Sequence, residues 1–260
     1  MGMFDGYMIC SDLDGTLAID GSVPENNSKA IKYFQDNGGM FVLATGRSIN
    51  YLEKLKNSFV CDKYIIAGNG NILYNIQTKE IEKYYLLDLK SEDIVKDVID
   101  SFEGRLQAVS YVGMEDRTLY EKKPEINYEG AYAAFDYKIT KVVFTTETPA
   151  DAIEIKKYLE DRYKDEYSIK RTWDTGLEIW NKDAGKAQMI RYLREKLDNV
   201  PTVICAGDYE NDIAMLEESD LSYAPANAFE GAKEAADIVG VCCAEGLINQ
   251  IVSDLKQKLS

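Results

Sequence analysis

The sequence predicts an α/β protein organised around a largely parallel sheet, with a second unit beside it, and three observations carry that expectation. Short apolar runs without polar alternation recur at Tyr7-Met8-Ile9-Cys10, Met40-Phe41-Val42-Leu43-Ala44, Tyr64-Ile65-Ile66-Ala67 and Val203-Ile204-Cys205-Ala206. Such runs fit strands covered on both faces. Helical periodicities lie between them, as at Ala30, Ile31 and Phe34. The length of 260 residues is near the size at which one hydrophobic core gives way to two.

The first run ends in Asp12-Leu13-Asp14-Gly15-Thr16. In open α/β sheets ligands bind at the carboxyl ends of the strands, so Asp12 is expected at a crevice. Asp14, two residues on, projects to the same side. Paired carboxylates there suit a hard divalent cation, and a cation suits a phosphate. An isolated Asp-x-Asp is more often an acidic turn. A calcium loop needs a closing Glu in a twelve-residue frame, whereas Thr16-Leu17-Ala18-Ile19 follows here.

Ala18 to Pro24 reads as a small hairpin or flap. Asn26 or Asn27 is expected to cap a helix reaching about Asn37, stopped by Gly38-Gly39. The second run ends in Thr45-Gly46-Arg47-Ser48: a hydroxyl, a site of close backbone approach, and a cap for a following helix whose first N–H groups suit an anion. The third leads through Gly68-Asn69-Gly70 into a hairpin of Ile72–Asn75 with Ile81–Tyr85.

From Leu86 to Trp180 the pattern changes. Helices are expected at Ser91–Phe102 and Ala150–Tyr163, and strands at Leu106–Val112, Lys141–Phe144, Tyr167–Thr172 and Leu177–Trp180, enough for a separate α/β layer. Tyr120 to Tyr137, rich in Tyr, Glu and Lys, carries no assigned element. Lys186 then opens a helix, where a cation opposes the dipole unless an anion lies close. The fourth run ends in Gly207-Asp208-Tyr209-Glu210-Asn211-Asp212, with Asp212 on the face of Asp208 in the first helical turn. Helices at Phe229–Ala236 and after Gly246 close the chain.

Composition excludes several chemistries. The chain has no His, which removes Ser-His-Asp and Cys-His nucleophile systems and His-containing zinc sites. Five Cys without C-x-x-C spacing suit buried thiols in a reducing compartment. A net charge of −15 opposes nucleic acid and anionic membranes as partners. A phosphate site would therefore need a metal and a few placed Lys or Arg. No apolar stretch is long enough to span a bilayer and no secretory signal is visible, so a cytoplasmic protein is expected.

Asp12-Leu13-Asp14-Gly15-Thr16 resembles the first motif of the haloacid dehalogenase superfamily, mostly phosphotransferases with an aspartate nucleophile. Thr45-Gly46 resembles its second motif and Lys186 its third, although Ala187 stands where many relatives have Gly. Gly-Asp-x-x-Asn-Asp-x-x-Met at Gly207–Met215 resembles the fourth motif of the Cof-type subfamily, and Asn69-Gly70 fits that subfamily too. The resemblance covers nearly the whole chain and is weakest between Tyr120 and Tyr137.

It implies a Rossmann-like three-layer parallel-sheet core at 1–85 and 181–260, with an inserted α/β cap at 86–180 that selects substrate. The implied activity is that of a magnesium-dependent phosphatase acting on a small phosphorylated metabolite, a sugar phosphate or similar phosphomonoester. Asp12 would be the nucleophile and Asp14 the general acid/base. Thr45, Gly46 and Lys186 would bind the phosphoryl oxygens, with Arg47 either joining them or facing solvent. Mg2+ would sit on Asp12, the Asp14 backbone carbonyl and Asp208, supported by Asn211 and Asp212. Trp173, Glu178 and Trp180 are candidates for reading the substrate. A capped phosphomutase and a non-catalytic phospho-ligand-binding protein are the alternatives, and either a monomer or a homodimer is expected.

Overall fold

The computed structural model describes residues 2–49, 61–114, 118–122, 136, 138–197 and 202–260. They pack into two compact units, Met1–Glu82 with Gly185–Ser260, and Lys83–Ala184.

In the first unit the apolar runs are strands β1 (Tyr7–Ser11), β2 (Met40–Ala44) and β3 (Tyr64–Ala67). All but their first residues are buried, and β3 is buried throughout, as interior strands of a parallel sheet require. Side chains such as Ile9, Phe41 and Ile66 are removed from water, each contributing about 1.5–3 kcal/mol.

Between β1 and β2, Ile19 and Ser22 exchange backbone hydrogen bonds at 2.9 and 2.8 Å, forming the expected small hairpin. Helix α1 (Glu25–Asp36) buries Ala30, Ile31 and Phe34. Its start corrects the sequence reading. Pro24 occupies the cap position with no side-chain bond, and both asparagines lie inside the helix, where Asn26 Oδ1 accepts from the Asn27 N–H at 2.9 Å. Asn26 Nδ2 donates to the Glu245 carbonyl at 2.7 Å. The buried Asn27 donates to the Leu17 carbonyl and accepts from the Asn249 N–H. The helix expected after Ser48 lies, beyond Ile49, outside the described residues.

Strands β4 (Ile72–Asn75) and β5 (Glu80–Tyr84) follow. β4 runs antiparallel to β3, pairing Ala67 with Ile72, so Gly68-Asn69-Gly70 is the tight turn between them.

Among the described residues the second unit has a five-stranded sheet and two helices. Helix α2 (Lys90–Ser101) precedes β6 (Leu106–Gly113), β7 (Thr118–Lys122) and β8 (Ile139–Thr146). Helix α3 (Pro149–Tyr163) leads into β9 (Tyr167–Trp173) and β10 (Gly176–Asn181). Thr148 caps α3 through a reciprocal bond with Asp151, the capping-box arrangement. The sheet order is β7-β6-β8-β10-β9. Ile94, Val95 and Val98 of α2 and Ile155 and Leu159 of α3 form one core with Val109, Phe144, Ile169 and Leu177 of the sheet. β7 had no counterpart in the sequence reading. Among the described residues it is an edge strand paired to β6, and a polar, charged run such as Thr-Leu-Tyr-Glu-Lys is tolerated there. The rest of Tyr120 to Tyr137, apart from Tyr120–Lys122 and Asp136, lies outside the described residues.

The chain re-enters the first unit at helix α4 (Lys186–Lys196), then β11 (Thr202–Ala206), α5 (Ile213–Glu218), β12 (Leu221–Pro225), α6 (Glu230–Ala235), β13 (Ile238–Gly240) and α7 (Leu247–Leu259). The eight strands run in the order β13-β12-β11-β1-β2-β3-β4-β5, parallel from β13 to β3. α1 packs on α7, while α4 packs on α5 and α5 on α6. With both sheet faces buried, this is a three-layer α/β sandwich. The strand order reverses between β1 and β11, the switch point at which such sheets bind ligands. Among the described residues no helix is long and apolar enough to cross a membrane.

Candidate active site

The loops leaving β1 and β11 are neighbours because their strands pair in register, Ser11 beside Ala206. The Asp12 N–H continues that ladder, donating to the Ala206 carbonyl at 2.8 Å. Asp12 and Asp208 therefore emerge side by side. Gly15 makes the approach possible: its φ is +87°, and a Cβ there would lie 2.4 Å from Asp208 Oδ2. Thr16 Oγ1 then donates to Asp208 Oδ1 at 2.9 Å.

Lys186 is 2 % exposed. Its Nζ donates to Asp12 Oδ1 and to Asp212 Oδ1, each at 2.6 Å. Two carboxylates thus offset the unfavourable placing of a cation at the first turn of α4. The start of α4 is fixed by the turn after β3, since a Cβ on Gly70 would fall 2.0 Å from the Gly185 carbonyl carbon. Asp212 spends its other oxygen on the N–H groups of Asp208 and Tyr209, at 3.1 and 3.2 Å. Both its oxygens thus accept hydrogen bonds.

Carboxylate oxygens of Asp12, Asp208 and Asp212 lie within 4.8 Å of one another. Lys186 holds Oδ1 of Asp12 and Thr16 holds Oδ1 of Asp208, leaving the second oxygen of each without a hydrogen bond among the described residues. Asn211 Nδ2 donates to Asn69 Oδ1 at 3.0 Å, and its own Oδ1 is buried without a partner. Open carboxylate oxygens and an orphaned amide oxygen are the oxygen chemistry that suits a hard divalent cation.

The electrostatics agree. Burial pushes the Asp12 carboxyl well above its usual range, with Lys186 opposing and Asp212 and Asp208 adding to the rise. Asp208 is pushed up to about 7 by burial and by the Asp212 charge, against the Thr16 hydrogen bond. Burial disfavours the Lys186 ammonium, but Asp12 and Asp212 outweigh it and hold that group above its ordinary value. Three carboxylates gather around one ammonium, an excess of acidic groups that suits a cation.

Thr45 and Gly46 flank this cluster. The Thr45 N–H donates to the Ile66 carbonyl and the Asn69 N–H to the Thr45 carbonyl, at 2.8 and 2.9 Å, tying the loop after β2 to the turn after β3. Thr45 Oγ1 accepts from the Arg47 N–H at 3.0 Å, and a Cβ on Gly46 would sit 3.0 Å from Asn69 Oδ1. Asn69, at φ +61°, links this loop to Asn211. Asp14 lies close enough to Asp208 for its charge to add to the rise there. Arg47 Nε and Nη2 donate to its two oxygens at 2.9 and 3.1 Å, while the Arg47 side chain keeps about half its surface exposed. Asp14 and Arg47 line an open cavity of about 460 Å³ with Ile19 and Asp20.

Thr16, expected only to help turn the chain, holds Asp208, and Asn69 bridges to Asn211, a role whose sequence signal is an Asn between two Gly, which suits a left-handed position. In the second unit, Glu178 Oε2 is bonded by Lys141 Nζ at 2.7 Å, and the buried Trp180 donates to the Ala184 carbonyl. Trp173 is exposed and lies against Gly176. The structure does not gather these three into one cluster.

The family profile described as haloacid dehalogenase-like hydrolase matches residues 9–249. A Bacillus subtilis protein named 5-amino-6-(5-phospho-D-ribitylamino)uracil phosphatase is 26% identical over 237 residues, 90% of each chain. A Thermotoga maritima crystal structure is similar with a TM-score of 0.74 at 25% identity, covering 96% of this chain and 97% of its own. A phosphatase of the haloalkanoate superfamily from Bacteroides thetaiotaomicron aligns with a TM-score of 0.78 over 98% of this chain and 96% of its own. At 16% identity that last likeness speaks to the fold alone.

Proposed function

The chain belongs to the haloacid dehalogenase-like hydrolases, and on that premise we propose a magnesium-dependent phosphatase that hydrolyses a sugar phosphate or similar small phosphomonoester through an aspartyl-phosphate. One observation carries the reading: Lys186 bridges Asp12 and Asp212 inside a cluster whose three carboxylates outnumber its ammonium. Such a site favours a divalent cation, and cation and Lys186 together favour a phosphate.

In this reading Asp12 attacks phosphorus in line, and the bond to the leaving oxygen breaks as the new O–P bond forms. Asp14 gives its proton to the leaving oxygen. In the second half Asp14 takes a proton from the water that attacks phosphorus, the Asp12–phosphate bond breaks, and inorganic phosphate departs. Lys186, the Thr45 hydroxyl and the Gly46 N–H hold the phosphoryl oxygens while charge moves between them. Mg2+ would be held by Asp12, the Asp14 backbone carbonyl and Asp208, with Asn211 and Asp212 in support, and when bound it supplies positive charge to the transferring group. We assign substrate selection to the unit Lys83–Ala184, following the order of the motifs.

The test is release of inorganic phosphate, with and without Mg2+, from a panel of sugar phosphates, nucleotides and a polyol phosphate of the kind that names the Bacillus subtilis relative. Asp12→Asn is run in parallel. Turnover that needs Mg2+ and vanishes in the variant is the expected result. Turnover surviving in Asp12→Asn would remove the covalent mechanism.

A further inference from the structure

We propose that Arg47 is a positioning residue for the proton transfers: its guanidinium fixes the Asp14 carboxylate toward the leaving group. The proposal rests on the phosphatase reading and deepens it.

The geometry is a fork on a fork. Nε and Nη2 of Arg47 each reach a different oxygen of Asp14, which sets the plane and rotation of the carboxylate as a point cation could not. Both ends of the fork stand on fixed backbone. The Arg47 N–H donates to Thr45 Oγ1, and its carbonyl accepts from the Gly68 N–H at 3.1 Å. The Asp14 loop is closed by the Gly15 N–H on the Ala18 carbonyl at 2.9 Å and by Asn227 Nδ2 on the Gly15 carbonyl at 3.0 Å.

A carboxylate in this neighbourhood needs such a hold. Lys186 and the cation site lie inward, and either would draw Asp14 into the cluster, where it would become one more ligand and leave proton transfer without a carrier. Arg47 pulls the other way. Asp14 and Arg47 both line the open cavity of about 460 Å³, and Asp12, Asp208 and Lys186 do not. A leaving group seated in that cavity meets the Asp14 carboxyl directly.

Stability does not explain the pair. Its side chains are 47 % and 44 % exposed, and ion pairs that exposed add little to folding. Replacing Arg47 should leave thermal unfolding almost unchanged, so its effect on turnover can be read cleanly.

The experiment compares kcat/KM for two phosphomonoesters, because that ratio reports departure of the leaving group. One is an alkyl phosphate, whose alkoxide needs a proton to depart. The other is p-nitrophenyl phosphate, whose phenolate leaves without one. In Arg47→Ala, kcat/KM for the alkyl ester should fall on the order of tenfold or more, and for p-nitrophenyl phosphate by no more than about threefold. Arg47→Lys should fall between, having one contact instead of two. For the alkyl ester, Asp14→Asn should cost no more on the Arg47→Ala background than the sum allows for a shared role, so the double variant should match Asp14→Asn alone.

Equal losses on both esters would overturn the proposal in favour of a phosphoryl contact. Additive losses in the double variant would overturn it as well. Failure of the underlying reading looks different: wild-type protein that turns over neither ester, or Asp12→Asn that retains activity, removes the phosphatase mechanism and this role with it.

Discussion

Each unit buries a lysine against a carboxylate, and the two pairs look alike until their charges are counted. Lys186 meets Asp12 at 2.6 Å and Lys141 meets Glu178 at 2.7 Å; the lysines are 2 % and 5 % exposed. Within the Lys141–Glu178 pair the charges cancel, and the Thr172 hydroxyl adds a bond to Glu178 Oε1 at 3.2 Å. Around Lys186 three carboxylates crowd one ammonium, and the upward push on Asp12 and Asp208, which comes first from burial, is increased by the neighbouring carboxylates. Burial and distance do not separate a structural ion pair from a ligand site here. The imbalance does.

The largest effect that sharpens this contrast is on turnover. Lys186→Met removes the cation shared by nucleophile and phosphate, and kcat/KM should drop about 10²–10³-fold, as when an electrostatic partner of a transition state is lost. The measurement is phosphate release at saturating Mg2+. A loss under tenfold would mean that Lys186 serves the fold, as Lys141 does.

At the second lysine the effect should fall on stability. Lys141→Met takes the ammonium away from the buried Glu178 carboxylate, which should cost about 3–5 kcal/mol in denaturant unfolding. Removing both charges with Lys141→Met and Glu178→Leu should recover most of that, because buried pairs replaced by apolar groups are near neutral. If the double variant stays as unstable as the single one, the pair is not self-contained and the comparison breaks.

The sequence made the first unit easier to read than the second, for physical reasons. A strand buried on both faces is a continuous apolar run, so β1, β2, β3 and β11 stood out, and the residues just past their ends were the ones brought together. β7 was invisible because an edge strand has one partner and no obligation to be apolar. The cap of α1 was misread because the side chains of Asn26 and Asn27 are taken by partners more than 200 residues away, at Glu245 and Asn249, and no local rule sees them. The same holds for Arg47. Its sequence suggested phosphate or solvent, and only the folded loops bring it to Asp14, 33 residues earlier in the chain.

A smaller effect tests the charge surplus without any mutation. In the metal-free protein Asp208 is raised to about 7 from an ordinary value of 3.8, and Asp12 is pushed the same way. At Asp208 the folded state therefore holds a proton that the unfolded chain has released between about pH 4 and 7, and Asp12 acts in the same direction. Stability from these groups is fully present below that window and is lost as pH rises through it. Mg2+ needs the carboxylates ionised, so at pH 5 it must displace protons and at pH 8 it need not. The rise in unfolding temperature on adding a fixed concentration of Mg2+ should be small at pH 5 and larger at pH 8, following the stabilisation that a ligand of the native state confers. Thermal scans with and without Mg2+ at the two pH values check this. The Asp208→Asn variant should lose most of the pH 8 gain. An equal gain at both pH values would show that the carboxylates around Lys186 are already balanced, and that the two lysines differ in company but not in charge.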